Sequence, residues 1–181
     1  MIAAHGWTPG LVSRAMEGCR FADSPWHGAR HWARVKAHGL DMARHYGVSP
    51  IVPSLFALFH DCRRRNENFD PDHGSRAADL VERLALEGEL GMLGGREVGW
   101  LQAACTGHSD GLMDAPLVVR ICWDADRLDL GRVGITPDPL RLCTDRARDP
   151  EVLGRAIAWS RGQAMVGVRR QGGQRPRRPG F

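Results

Sequence analysis

The segment LFALFHDCRRRNENFD, residues 55–70, constrains the fold of this chain more than any other. Its apolar run is typical of a helix in a protein core, yet the run ends in His60 and Asp61. An aspartate is almost never fully buried unless it is paired or holds a metal. Either the helix reaches the surface at His60, or a cation there takes the carboxylate.

The composition is that of a folded globular protein, with 43% hydrophobic and 25% charged residues in a chain of 181. This length predicts a single helical domain over residues 1–170 and a disordered basic tail over residues 171–181. No apolar run is long enough to cross a bilayer, and the first ten residues lack the pattern of a signal peptide. We therefore expect a cytoplasmic location and no membrane partner.

The positive charge is concentrated at the end of the chain. Six of the 25 basic residues and no acidic residue lie between Arg161 and Phe181, so 19 basic residues face 21 acidic residues before that point. The body of the protein therefore shows no strong sign of nucleic-acid binding. Nothing in the sequence indicates an oligomeric state.

Helical spacing recurs along the chain, whereas alternating β-branched runs are absent, which predicts an all-α fold. Trp32, Val35, Gly39 and Met42 form one apolar stripe, in a helix expected to run from Ser24-Pro25 to Gly47. Five further helices are expected: from Pro50 or Pro53 through residue 62, from about Asp72, over residues 96–108, from Pro116, and over residues 150–168.

Polar and titratable residues interrupt these apolar patterns at several places. Taken singly, each has a structural explanation as a hydrogen-bonded histidine, a helix cap or a solvated helix face. Together they offer the imidazole and carboxylate ligands that divalent transition metals accept. The residues are His27, His31, His60, Asp61, His73, His108, Asp124, Asp126 and Asp129.

The order of three of these segments resembles the HD superfamily of metal-dependent phosphohydrolases, whose mark is H…HD…D. The matching segments are HWARV with His31, LFHD with His60 and Asp61, and DADRLD with Asp126, within residues 25–135. The resemblance implies a compact HD-domain-like helical bundle in which these four residues hold a metal ion.

Two choices within this resemblance follow from the family's patterns. His27 and His31 are four residues apart and share a face of the expected helix. The Arg-Val pair that follows the family's first ligand selects His31. His27 then becomes a candidate for either of two roles: to support a metal ligand from behind, or to face the substrate. The family's ADxL pattern selects Asp126 as the last ligand, with Asp124 as the alternative.

A second metal ion is also compatible with the sequence. Some HD proteins place two more histidines between the HD pair and the final aspartate, and His73 and His108 fall in that order. The resemblance thus implies one or two divalent ions per chain, of manganese, zinc, nickel or iron. The sequence leaves the number of ions and the metal open.

The residues around the HD pair suggest further roles. Asp61 would bind metal and orient a water molecule, while Arg63 and Arg64 would serve catalysis, since guanidinium groups match phosphate oxygens. We expect Arg34, His27 and Glu67 to contact the substrate. The three arginines after Asp61 also suit a solvated helix end.

The expected function is a metal-dependent phosphohydrolase that acts on a nucleotide or another small phosphate ester. Two alternatives stay open. An oxygenase with two irons is built on the same scaffold and would consume oxygen without releasing phosphate. A non-catalytic HD module would bind a nucleotide or metal without turnover.

Overall fold

The computed structural model describes residues 4–162, and the predicted basic tail lies outside this range. The described residues form helices and no strand. There are eight α-helices: α1 (Pro9–Met16), α2 (Ala29–Tyr46), α3 (Ile51–Phe59), α4 (His73–Leu86), α5 (Gly95–Gly107), α6 (Leu117–Arg127), α7 (Asp145–Arg148) and α8 (Pro150–Ser160). Short 3₁₀ turns occur at Ala4–Gly6, Leu130–Val133 and Pro139–Arg141.

Helix α3 is the central helix of the fold, as its all-apolar sequence predicted. All of its residues from Val52 to Phe59 are buried, and it packs against α2, α5 and α6. Burying a large apolar side chain contributes about 1.5–3 kcal/mol. Phe56 and Phe59, both fully buried, therefore contribute strongly to a core that surrounds the end of this helix.

Helix α2 begins four residues later than the sequence predicted, at Ala29 instead of Pro25. The hydroxyl of Ser24 accepts hydrogen bonds from the amides of Trp26 and His27, which closes a turn rather than starting a helix. The chain passes from this turn into α2 at Gly28. Only glycine fits at this position, because a Cβ atom there would lie 2.3 Å from the carbonyl oxygen of Ala22. His27 is therefore in a turn, and the expectation that it shares a helical face with His31 is wrong.

Helices α4 and α5 lie close together at one point beside the HD pair. A Cβ atom at Gly74 would lie 2.3 Å from the carbonyl oxygen of Cys105, so only glycine permits this approach. The contact brings His73, the first residue of α4, next to His108, which follows α5.

Residues 130–144, which follow α6, are tied to that helix by two buried side chains. Arg127 donates to the carbonyl oxygens of Leu112 and Arg141, at 2.7 and 3.0 Å. Asp124 accepts hydrogen bonds from the backbone amides of Cys143 and Thr144. The carboxylate of Asp124 therefore holds this segment against α6.

Two helices of the structure were not predicted. Helix α1 begins with Thr8, whose hydroxyl accepts from the amide of Leu11, and with Pro9 in the first turn. Helix α7 has only four residues. Its start is capped by Thr144, whose hydroxyl accepts from the amide of Ala147. None of the helices in the described part of the chain is long and apolar enough to span a membrane.

Candidate metal centre

The ends of five helices meet at the HD pair. His31 lies near the start of α2, His60 and Asp61 follow α3, and Asp126 lies near the end of α6. The Nε2 atom of His31 is 3.0 Å from Nε2 of His60 and 3.3 Å from Oδ1 of Asp126. We call these three residues the first donor group.

The last member of this group is Asp126 and not Asp124. Both oxygens of Asp124 accept hydrogen bonds from residues 143 and 144, including one of 2.7 Å from the hydroxyl of Thr144. In contrast, Oδ1 of Asp126 is buried without a hydrogen-bond partner among the described residues. An orphaned buried carboxylate oxygen is costly, and a cation beside it would remove that cost.

A second donor group lies on the other side of Asp61. It comprises Asp61, His73 and His108, whose ligand atoms lie within 4.8 Å of one another. Oδ1 of Asp61 is 3.2 Å from Nε2 of His73 and 3.8 Å from Nε2 of His108. Oδ2 of the same carboxylate lies 3.6 Å from His31 and 3.5 Å from His60. Asp61 therefore faces both donor groups.

The hydrogen bonds of the four histidines determine which ring nitrogens carry the lone pairs. Each Nδ1 atom faces an acceptor that cannot donate: a carboxylate oxygen of Asp129 for His31 and backbone carbonyl oxygens for His60, His73 and His108. A neutral imidazole that donates through Nδ1 carries its lone pair on Nε2. All four lone pairs therefore point toward Asp61 and its surroundings.

Lone pairs that face each other require a positive charge between them. The Nε2 atoms of His31 and His60 are 3.0 Å apart, and those of His73 and His108 are 2.8 Å apart. Two acceptors at such a distance do not form a hydrogen bond. Nitrogen ligands at right angles on a transition metal, about 2.0–2.1 Å from it, are separated by about 2.9 Å. The donor sets therefore fit a divalent metal ion.

Electrostatics favours the metal-binding state of the first donor group. Burial lowers the pKa of His60 to about 3, which keeps its imidazole neutral and able to bind a metal. Burial alone would raise the pKa of Asp126, but Arg132 and His31 outweigh it and lower that pKa. The group thus presents a neutral imidazole at His60 and a carboxylate at Asp126.

The pKa values of the second donor group are also shifted by its surroundings. Burial would raise the pKa of Asp61, yet the nearby histidines outweigh it and hold that pKa well below its usual value. Burial would likewise lower the pKa of His108, but the Asp61 carboxylate outweighs it and raises that pKa. Arg64 also lies here, with Nη1 3.3 Å from Oδ1 of Asp61.

His27 and Glu67, both expected at the substrate, occupy different positions around Asp61. Nδ1 of His27 lies 3.1 Å from Oδ2 of Asp61, and the histidine also lines the cavity above the centre. Glu67 lies behind it, where its carboxylate accepts from the hydroxyl of Ser24 and is 3.7 Å from Nε2 of His27. Glu67 does not line the cavity, contrary to the expectation of substrate contact.

Arg34 and Arg63 also lie elsewhere than expected. Arg34 donates two hydrogen bonds to Asp129, the residue behind His31, and does not line the cavity. Arg63 points away from the centre and donates to the carbonyl oxygens of Arg14 and Ala15 at the end of α1. Its guanidinium group suits the negative end of that helix. The expected catalytic role of Arg63 does not fit this position.

Arg132 was missed by the sequence analysis, although its side chain is only 8% exposed and lies beside Asp126. Its Nη2 atom is 3.5 Å from Oδ1 of Asp126, and Nε donates to the carbonyl oxygen of Trp26 at 2.6 Å. Its Nη1 atom is buried without a hydrogen-bond partner in the described chain. No motif marks this arginine, which lies in a 3₁₀ turn six residues after Asp126.

A cavity of about 530 Å³ opens above the two donor groups. Asp61, Arg64 and Asp126 lie in its polar part, and residues 130–142 form much of its remaining lining. Leu130, Val133 and Ile135 make part of that lining apolar. The volume is typical of a pocket for a small molecule.

The helical arrangement and the position of the HD pair define an HD-domain fold. No protein-family model matches the chain, and no curated protein matches its sequence significantly. Among solved structures, the chain is similar to the crystal structure of a predicted HD superfamily hydrolase from an uncultured Thermotogales bacterium, with a TM-score of 0.64 and 21% sequence identity. The match covers 84% of this chain and 86% of the other. The predicted all-α, HD-domain-like fold is confirmed.

Proposed function

We propose that the protein is a metal-dependent phosphohydrolase that acts on a nucleotide or another small phosphate ester. The observation that carries this proposal is the convergence of two buried donor groups on Asp61 at the base of a cavity. The similarity to a predicted HD superfamily hydrolase adds support. His31, His60, Asp126 and Asp61 would hold a divalent ion of manganese, zinc, nickel or iron.

A divalent ion held at this position would act as a Lewis acid and would lower the pKa of a bound water molecule. The chain's own residues then have separate tasks. His27 is within hydrogen-bond distance of Oδ2 of Asp61, so it orients that carboxylate at the edge of the cavity. Arg64 and Arg132 bring positive charge to the place where phosphate oxygens would lie.

The shape of the cavity supports a substrate with a phosphate group and a less polar remainder. The phosphate would face Arg64 and Arg132, and the remainder would lie against Leu130, Val133 and Ile135. The cavity volume of about 530 Å³ suits a molecule the size of a mononucleotide or smaller.

The proposal is tested by phosphate release from p-nitrophenyl phosphate and from a panel of nucleotides and sugar phosphates. We expect activity with added manganese or another divalent ion, loss of activity with a chelator, and recovery on adding the ion back. His60→Gln should abolish activity. His45→Gln, which changes an exposed histidine on α2, is the matched control and should retain it.

The oxygenase alternative uses the same ligands and is addressed by the same preparation. Imidazole and carboxylate ligands accept iron as readily as manganese or zinc. If the iron-loaded protein consumes oxygen and releases phosphate from no member of the panel, the protein is an oxygenase and the proposed phosphohydrolase activity is contradicted. Binding of a nucleotide without either reaction would indicate a non-catalytic module.

A further inference from the structure

Arg64 contacts two members of the second donor group, Asp61 and His73. Its side chain is 9% exposed, and its Nη1 atom lies 3.3 Å from Oδ1 of Asp61 and 3.1 Å from Nε2 of His73. Because Nδ1 of His73 faces the carbonyl oxygen of Asp70, the Nε2 atom accepts and Arg64 donates. The guanidinium group therefore uses lone pairs that a second metal ion would need.

The loop after α3 holds this guanidinium group in place. Nη2 of Arg64 donates to the carbonyl oxygen of Asn68 at 2.8 Å, and Nε donates to that of Asn66 at 3.3 Å. The loop is itself closed by Asp70, whose carboxylate accepts from the amide of Arg65 at 2.7 Å. Moving Arg64 away from Asp61 thus breaks several charge-assisted hydrogen bonds.

The Nε2 lone pairs of His31 and His60 have no such competitor in the described part of the chain. The guanidinium group of Arg132 is 3.5 Å from Oδ1 of Asp126, and its hydrogen bond goes to the carbonyl oxygen of Trp26. The lone pairs of His31 and His60 are therefore available to an ion, whereas that of His73 is already used. The two groups contain similar ligands but differ in this respect.

We infer that Arg64 takes the place of a second metal ion, so that the chain holds one ion tightly at the first donor group and a second ion much more weakly. A divalent ion at the second donor group would compete with Arg64 for Asp61 and His73. It would also meet the positive charge of the guanidinium group at close range, where repulsion is strong. This inference rests on the proposed metal site and specifies how many ions it retains.

The test is a calorimetric titration of the metal-depleted protein with Mn²⁺. For the wild type we expect one equivalent to bind tightly and a second to bind at least tenfold more weakly, or not at all. Arg64→Met removes the charge and the donors while keeping a similar length. In this variant the second equivalent should bind at least tenfold more tightly than in the wild type.

Arg65→Met is the matched control, because Arg65 is the next residue in the loop and its side chain is exposed. It should bind Mn²⁺ as the wild type does. Arg64→Lys retains a charge near Asp61 but offers a single donor group, and its second equivalent should bind with intermediate affinity. Circular dichroism and the midpoint of thermal unfolding establish that each variant is folded.

Two equivalents of equal affinity in the wild type would overturn the inference, whether or not Arg64→Met folds. The same conclusion follows if a folded Arg64→Met variant binds its second ion no more tightly than the wild type. Both results would leave the proposed function intact, since the first ion is still bound. Absence of any Mn²⁺ binding by the wild type would instead contradict the metal site itself.

Discussion

The Nδ1 nitrogen of His31 lies 2.6 Å from Oδ2 of Asp129, and neither side chain is exposed to solvent. Asp129 also accepts two hydrogen bonds from Arg34, at 2.6 and 3.0 Å. A carboxylate behind a metal-binding histidine fixes the tautomer and orientation of the ring. Asp129 is therefore a positioning residue for the first donor group.

Asp129→Asn should weaken ion binding while leaving the fold intact. The amide has nearly the same shape as the carboxylate, but it is a weaker acceptor and can present its NH₂ group to Nδ1 of His31. We expect the affinity for Mn²⁺ to fall about 10–100-fold, the usual effect of removing such a partner. Calorimetric titration of the metal-depleted variant measures this change.

Arg34→Gln provides the comparison, because it leaves Asp129 in contact with His31. The loss of affinity should be smaller than for Asp129→Asn. An equal affinity in Asp129→Asn and the wild type would show that the ring of His31 is held by its surroundings alone.

Arg63 should matter for stability and not for catalysis. It donates two hydrogen bonds of 2.9 Å to carbonyl oxygens at the end of α1. Arg63→Gln should lower the free energy of unfolding by about 1–2 kcal/mol, as expected for charge-assisted hydrogen bonds that are partly exposed. Urea denaturation measures this loss, and phosphatase activity per folded molecule should be unchanged. If the variant is inactive but as stable as the wild type, Arg63 takes part in catalysis and this prediction is wrong.

His38 should make the protein less stable in mild acid. Burial lowers the pKa of His38 from 6.5 to about 4, against the opposing effect of Asp129 and Asp41. Between these pH values the unfolded chain binds a proton that the folded chain does not, so stability is lost as pH falls from 6.5 toward 4. Because the ring is only partly buried against Trp159, we expect a loss of about 1–3 kcal/mol.

His38→Leu removes this titration, and its thermal midpoint should fall less than that of the wild type between pH 6.5 and 4. Measurements in the presence of a chelator keep metal release from contributing. His45→Leu changes an exposed histidine of the same helix and should behave as the wild type. Parallel pH profiles for His38→Leu and the wild type would assign the acid sensitivity to other groups.

The sequence predicted most helices because their starts carry strong local signals. Pro50, Asp72 and Pro116 each precede or begin a helix of the structure, as expected. The start of α2 was wrong because Ser24 uses its hydroxyl to close a turn, a local alternative to helix capping. Helix α1 was missed because eight residues are too few to show a clear apolar period.

His31, the HD pair and Asp126 were predictable from the motifs around them, and His73 and His108 from their order in the chain. The directions of the arginine side chains were not predictable. Arg63 and Arg64 are adjacent, yet one binds the end of α1 and the other contacts Asp61. The backbone of a loop decides such directions, and helical periodicity gives no information about them. Arg132 reaches Asp126 only because a 3₁₀ turn follows α6, a feature without a sequence pattern of its own.

The buried Asp61 is central to the proposed site, because its two oxygens face both donor groups. The most direct measurement is therefore elemental analysis of the purified protein, before and after equilibration with divalent ions, beside Asp61→Ala. We expect at least one equivalent of a transition metal in the wild type and its loss in the variant. A wild-type protein that binds no divalent ion even after equilibration would contradict the metal centre, and the proposed hydrolase with it.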